Sequence, residues 1–193
     1  MSHALQRPPR RVPGDAIMLT PPVVWPRLLD VAPATFDTLS VASANELLVA
    51  WQHRLGPLHR PFSQRAYVML VDGAPISLAM SASAVSKTAG GFRRDQVVEL
   101  ARLCSAPGCS WASRVMLRVW REVFARRWPD WSVEAAISYS QNAHYRGDLY
   151  RFDGWIRVSQ ACGSNGGGAW SRQRYAGEAA RGRKTLGLWR YPS

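Results

Sequence analysis

Between residues 97 and 158 the chain concentrates groups able to bind an anion and to move a proton. CSAPGCSWASR, residues 104–114, joins small residues and a Pro-Gly pair to the hydroxyls of Ser110 and Ser113 and the guanidinium of Arg114. Where a strand hands over to a helix, this stretch offers the unpaired N–H groups and partial positive charge of a helix N-terminus. Gly108 permits close backbone approach, Arg114 adds a charged clamp, and a pyrophosphate would fit. Neither GxxxxGK[ST] nor GxGxxG occurs, so this is neither a P-loop nor a dinucleotide fingerprint. Further on, VEAAISYS ends in the hydroxyls of Ser138, Tyr139 and Ser140; Asn142, His144, Tyr145 and Asp148 then lead into LYRFDGW. Tyr150 in that segment has the chemistry to protonate a thiolate or hydrogen-bond a substrate, and equally the character of a half-buried packing residue.

Two further groups are chemically suggestive. Glu99 lies inside VVELARLC, flanked by Val97, Val98 and Leu100. A carboxylate there points to solvent, pairs with Arg102 or another arginine, or belongs to an active site, because burying it unpaired is costly. His53, His59 and Arg60 fall close together around the Gly56, Pro57 and Pro61 breaks. Two such histidines suit a metal or a substrate phosphate, or are ordinary surface or core-bonded residues.

Periodicity supplies the elements that must position these groups. ASANELLVAWQHRL predicts a helix from Ala42 to Leu55, with Leu47, Leu48, Trp51 and Leu55 at helical spacing and Ser43 three residues before Glu46 as a capping box. RAYVMLV and APISLAMSASA read as strands joined by the hairpin turn Asp72-Gly73, and VVELARLC as a third strand after the turn region KTAGGFRRDQ. The helix that follows places Val115, Val119, Trp120 and Val123 on an apolar face, with Arg114, Arg118, Arg121 and Glu122 on the other. That arginine face is either phosphate-tracking or simply solvated. A strand over VEAAISYS, a short helix and a Gly-Trp exit into another strand complete the unit. The hydroxyls thereby fall at a strand's carboxyl end, where open α/β sheets bind ligands.

At 193 residues the chain suits one domain, here residues 27–193, preceded by a Pro- and Arg-rich arm over residues 1–26. No stretch approaches the roughly 18 uninterrupted apolar residues of a membrane span, and the N-terminus lacks a signal-peptide core, which points to a cytoplasmic protein. Three cysteines without finger spacing fit a reducing compartment. The net charge is +12, and only Lys87 and Lys184 are lysines. So much arginine favours a nucleic-acid or phosphorylated partner, against the alternative of a solvated arginine-rich surface. In the C-terminal segment Arg172, Arg174, Arg181, Arg183, Lys184 and Arg190 interleave with Trp170, Tyr175, Trp189 and Tyr191. Cations there would hold a phosphate backbone while aromatic rings stack on an extruded base; alternatively GLWRY simply completes the sheet.

The order of helix, three antiparallel strands, loop and helix, strand, and a short helix ending Leu-Tyr-x-x-x-Gly-Trp resembles the GNAT acetyltransferase superfamily. That likeness implies an α/β fold with a mixed, mostly antiparallel central sheet flanked by helices. ELARLCSAP, the serine-bearing helix start, AISYSQNAHYRGDLYRFDGW and GGGAWSRQRY…GRKTLGLWRY more narrowly resemble the Mom-like phage DNA-modification branch, over residues 42–192. Such membership implies an acyl-CoA-dependent transferase carrying an acetyl-CoA-derived group to adenine N6 of double-stranded DNA, a carbamoylmethylation, protecting phage DNA from restriction, with iron as a candidate metal and a homodimer as a candidate assembly. The alternatives are an ordinary N-acetyltransferase of a small-molecule or protein amine, and a non-catalytic DNA-binding protein. Carried onto this chain, Leu103, Cys104, Ser105, Gly108, Ser110, Ser113 and Arg114 would cradle CoA. Ser138, Tyr139, Asp148, Tyr150 and Glu99 would line the reacting end. His53, His59 and Arg60 would face the acceptor or a metal, with Trp170, Arg172, Arg174, Lys184 and Trp189 on the DNA.

Overall fold

The computed structural model describes residues 33–61, 63–141, 147–161 and 184–192; the arm over 1–26 and the residues around Trp170 lie outside them. Asp72 and Gly73 both adopt positive φ, +51° and +78°, as a type I′ turn requires, and close the hairpin of β2 (Gln64–Val71) and β3 (Ala74–Ala82). An outer strand, β1 (Ala34–Leu39), pairs antiparallel with β2 and was not apparent from the sequence. It leads directly into α1 (Val41–Ala50). A small hairpin of β4 (Thr88–Ala89) and β5 (Phe92–Arg93) precedes β6 (Val97–Ser105), which returns antiparallel beside β3. Helix α2 (Ala112–Val119) then crosses to β7 (Ala135–Gln141), and α3 (Asp148–Phe152), β8 (Ile156–Ala161) and β9 (Lys184–Arg190) follow. Among the described residues the sheet runs β1-β2-β3-β6-β7-β9-β8, antiparallel throughout except where β6 lies parallel to β7. No described helix is long and apolar enough to cross a membrane.

The sheet buries both faces. On one, Tyr67, Met69, Val98, Leu100 and Ala136 pack beneath Met116, Leu117, Trp120 and Phe124 of the α2 segment. On the other, Val68, Leu78, Met80 and Ala82 pack against Ala44 and Leu48 of α1. A separate cluster of Ala89, Val97, Ile137, Leu186 and Leu188 forms under the β4–β5 hairpin. Glu99, paired with Ala82 on β3 and Ile137 on β7, falls in register between those two clusters.

Three sequence expectations need correction. Helix α1 spans Val41–Ala50 rather than 42–55, and its N-cap is Ser40, whose Oγ accepts the Ser43 N–H at 3.0 Å. It stops early because Gln52 turns left-handed, φ +52°. His53 N–H then donates to Leu48 O at 2.8 Å and Gln52 N–H to Val49 O at 3.0 Å, a Schellman closure without its usual glycine. Second, the apolar face assigned to the central helix is displaced. The helix passes into a π-helical turn over Trp120–Ala125, Val115 is exposed, and the buried residues are Met116, Leu117, Trp120, Arg121, Phe124 and Ala125. Third, Trp189 is no free stacking platform. It sits in β9 opposite Ala136, partly buried, with the Arg121 guanidinium 3.6 Å above its ring.

Candidate active site

β6 and β7 pair only from Val97↔Ala135 to Leu100↔Ser138, although β6 continues to Ser105 and β7 to Gln141. The strands therefore separate beyond Leu100 and leave a wedge in the sheet. A β-bulge lies at this point: Met80 pairs with Arg102 and Ser81 with Leu100, which leaves Ala101 as the extra residue. Ser138 pins the apex, its hydroxyl within reach of Leu100 O at 3.1 Å and Tyr150 Oη at 2.8 Å. A serine has one hydroxyl proton, so when Ser138 donates to Leu100 O the Tyr150 hydroxyl donates to Ser138 Oγ.

The Leu-Tyr-x-x-x-Gly-Trp spacing that places Tyr150 has a local cause. Trp155 N–H donates to Tyr150 O at 3.0 Å and Gly154 N–H to Arg151 O at 3.2 Å, with Gly154 at φ +85°. This is a complete Schellman cap, and the accompanying apolar contact is Tyr150 against Trp155, ring centroids 5.2 Å apart and edge-on. Asp153 secures the cap: its carboxylate accepts from Arg118 Nε at 2.9 Å, from Arg121 Nη1 and from Trp155 Nε1 at 3.2 Å. Arg114 reaches the Phe152 carbonyl from the same helix, at 3.5 Å. The arginine row of the central helix is thus committed to holding α3 in place. Burial raises the Tyr150 hydroxyl above its ordinary value and the Glu99 charge adds to this, against the Ser138 hydrogen bond, so the phenol stays protonated at neutral pH.

Glu99 is 4% exposed and pairs with Arg60, Nη2 to Oε1 at 2.8 Å, which selects one of the alternatives open in the sequence. Burial pushes its carboxyl up; Arg60 first, then Arg102 and Lys184, pull it back. Tyr139, partly buried, is raised by burial and by the Glu99 charge. Lys184, at the start of β9, is half-buried and lowered by desolvation while Glu99 opposes that shift. Asn45 brackets the α1–β2 loop, accepting from Leu58 N–H at 2.7 Å and donating to its carbonyl at 3.2 Å. The Arg102 guanidinium donates to the carbonyls of Leu55, Gly56 and Pro57.

The remaining expected residues distribute unevenly. Leu103, Cys104 and Ser105 form the end of β6 beyond the wedge apex. Ala106-Pro107-Gly108-Cys109 makes a tight turn, Cys109 N–H to Ala106 O at 3.0 Å with Gly108 at φ +82°, and Ser110 precedes α2. Ser113 is spent on Ser105, the two hydroxyls sharing a hydrogen bond, with Ser77 Oγ 3.2 Å from Ser105 Oγ. Asp148, at the start of α3, is half-exposed and paired with Arg151 at 3.2 Å. His53 packs beside Arg102 and is lowered to about 4, chiefly by burial and then by that charge. His59 is exposed beside Asn45, Glu46 and Val49 in a shallow groove on α1. A cation at His53 would meet the Arg102 guanidinium. Among the described residues no three His, Cys, Asp or Glu gather, so these residues offer iron no ligand set. Trp170, Arg172 and Arg174 lie outside the described residues, as do Asn142, His144 and Tyr145. Sequence reasoning missed Gln64 beside Arg60 and Asp153 as the anchor of α3; the Asp-Gly-Trp run was the available signal for the latter.

No family model matches the sequence, and no curated protein does. Solved structures match most of the chain. IAA acetyltransferase from Bacillus cereus superposes with a TM-score of 0.56 at 13% identity, over 82% of this chain and 99% of that one. The fold is that of the GNAT acetyltransferases. Ribosomal-protein-S18-alanine N-acetyltransferase from Escherichia coli gives a TM-score of 0.55 at 10% identity, covering 83% and 95% of the two chains. A protein of the GNAT family from Desulfovibrio desulfuricans gives 0.53 at 10% identity, over 81% and 98%. The wedge opens between β6 and β7 in the interior of the seven-stranded sheet, and Glu99 and Tyr150 both lie beside its apex.

Proposed function

We propose that the chain is an acyl-CoA-dependent N-acyltransferase that carries an acetyl group from acetyl-CoA to an amine. The observation that supports this most is the divergence of β6 from β7 at Leu100/Ser138, with a buried carboxylate and a protonated phenol beside the same apex. Beyond Leu100 the β6 edge has no β7 partner among the described residues, so an extended amide-bearing arm can add there as a strand would. The pyrophosphate end falls at the turn Ala106–Trp111. The first-turn N–H groups of Ala112, Ser113 and Arg114 bond back to Cys109, Ser110 and Trp111, so the donors offered to phosphate are those of Gly108, Ser110 and Trp111.

At the apex, Glu99 takes the proton from the attacking amine, a task suited to a carboxyl raised by burial. As that proton leaves, nitrogen attacks the thioester carbon, the C–S bond breaks, and Tyr150 protonates the departing thiolate while Ser138 turns its own proton from Leu100 O to the phenolic oxygen. The test is thiol release from acetyl-CoA across a panel of amines. Tyr150→Phe and Glu99→Gln should each lower kcat by about a hundredfold while leaving acetyl-CoA affinity within about threefold. Full activity in both variants would remove these residues from the chemistry.

A second reading, in which the acceptor is a DNA base as in the Mom-like branch, is favoured by the +12 net charge and the Arg/Trp-rich C-terminal segment. Mass spectrometry of nucleosides from cells expressing the protein tests it. Unmodified DNA alongside acylation of free amines by the pure protein would leave the simple N-acyltransferase.

A further inference from the structure

The surroundings of Glu99 carry information about the acceptor. Three cations act on this one carboxylate: Arg60 in direct contact, Arg102 from the adjoining stretch of β6, and Lys184 from β9. Among the described residues its charge also reaches two phenols, Tyr139 on β7 and Tyr150 on α3. The local balance is therefore an excess of positive charge in a half-buried space. Arg102 is engaged with the carbonyls of the α1–β2 loop, and that bracing fixes the loop from which Arg60 extends. Three side-chain atoms here are buried without a hydrogen-bond partner: Glu99 Oε2, Arg60 Nη1 and Gln64 Oε1. Gln64, Ala82 and Glu99 lie in one row across β2, β3 and β6, and Gln64 also donates to the Arg60 carbonyl, so all three atoms belong to one place. Orphaned buried donors and acceptors are rare because each forfeits its hydration. The pattern asks for a ligand with an oxyanion for Arg60 Nη1 and an N–H for Glu99 Oε2.

The ion pair also restrains the reaction. While Arg60 holds Oε1, Glu99 is a weakened base, and an anion that neutralises Arg60 strengthens it. We infer that the acceptor is a small amine bearing a carboxylate or phosphate, that this anionic group is received by Arg60 with Lys184 beside it, and that its arrival frees Glu99 to take the amine proton. Arg60 is then both the specificity-determining residue for the acceptor and the latch on the base. This rests on the acyltransferase reading of the same site.

Matched amines on the full chain test it: each proteinogenic amino acid against its C-terminal amide, and phosphoethanolamine against ethanolamine, which separates carboxylate from phosphate. Two quantities are read, kcat/KM for thiol release from acetyl-CoA and calorimetric affinity with the protein saturated in CoA. At least one anionic member should exceed its neutral partner by about tenfold in both. Arg60→Gln should collapse that preference to within about threefold, and Arg60→Lys should restore part of it. In Arg60→Gln the acid limb of the kcat/KM profile should move to higher pH, because the cation that lowers Glu99 is gone. Equal handling of every matched pair overturns the inference, and so does a preference that survives Arg60→Gln. Acylation without discrimination would leave the acyltransferase standing and remove the anion receptor; discrimination in binding with no acylation of any amine would do the reverse.

Discussion

Removing the Asp153 carboxylate tests how the segment that carries Tyr150 is held. The carboxylate is fully buried and accepts from three donors of unequal weight. The Arg118 side chain is 60% exposed, so its pair is screened and worth below about 1 kcal/mol. Arg121 is 8% exposed, and Asp153→Ala strands its charge, a defect that typically costs about 3–5 kcal/mol. Arg121 keeps the Asp153 carbonyl at 2.8 Å, Glu122 at 2.6 Å and the Trp189 ring, which places the expected loss near the lower end, about 3 kcal/mol. For a chain of this size that is a fall in Tm of about 6–12 °C. Urea and thermal unfolding of Asp153→Ala and Arg118→Ala give the comparison. A loss under about 1 kcal/mol for Asp153→Ala, or an equal loss for Arg118→Ala, would refute the division between buried and screened partners.

Other outcomes follow from the same contacts. His53 has its folded-state value depressed from 6.5 to about 4, so its contribution is fully present above pH 6.5 and is lost as pH falls towards 4. Discounted for partial exposure this is about 2 kcal/mol, and unfolding as a function of pH should show that slope in the parent but not in His53→Gln. Gln52→Gly, which relieves a left-handed glutamine, should raise stability by up to about 1 kcal/mol in urea unfolding. Gly154→Ala should lower it by at least about 1 kcal/mol, since φ there is +85° and the added Cβ would meet Trp189 at 3.2 Å.

What could be seen in the sequence was what is local. The β2–β3 hairpin follows from Asp-Gly between apolar runs, and the succession of elements from α1 onward emerges from periodicity and turn residues. Strand β1 escaped notice because ATFDTL is an edge strand, polar at Thr35, Asp37 and Thr38, whose identity depends on pairing with β2 more than twenty residues later. Arg121 stayed open between a phosphate-tracking and a solvated face because its burial depends on Asp153, 32 positions away, and on the π-helical turn that rotates it inward. Glu99 stayed ambiguous for the same reason: the partner that decides its state, Arg60, is 39 residues distant. The helix of α1 was overextended because its leucine spacing continues past Ala50 while the chain has already turned at Gln52. His53 and His59, neighbours in sequence, are separated by the α1 cap and the loop that Arg102 braces, so proximity along the chain did not become a ligand set.

Amide hydrogen exchange with and without saturating acetyl-CoA tests the central claim most directly. Binding in the wedge should slow exchange along Ala101–Ser105, at Tyr139–Gln141 and through the Gly108–Trp111 turn, with little change in the β1–β2 pair. Unchanged exchange at all three, or protection confined to another face, would contradict a cofactor site between β6 and β7.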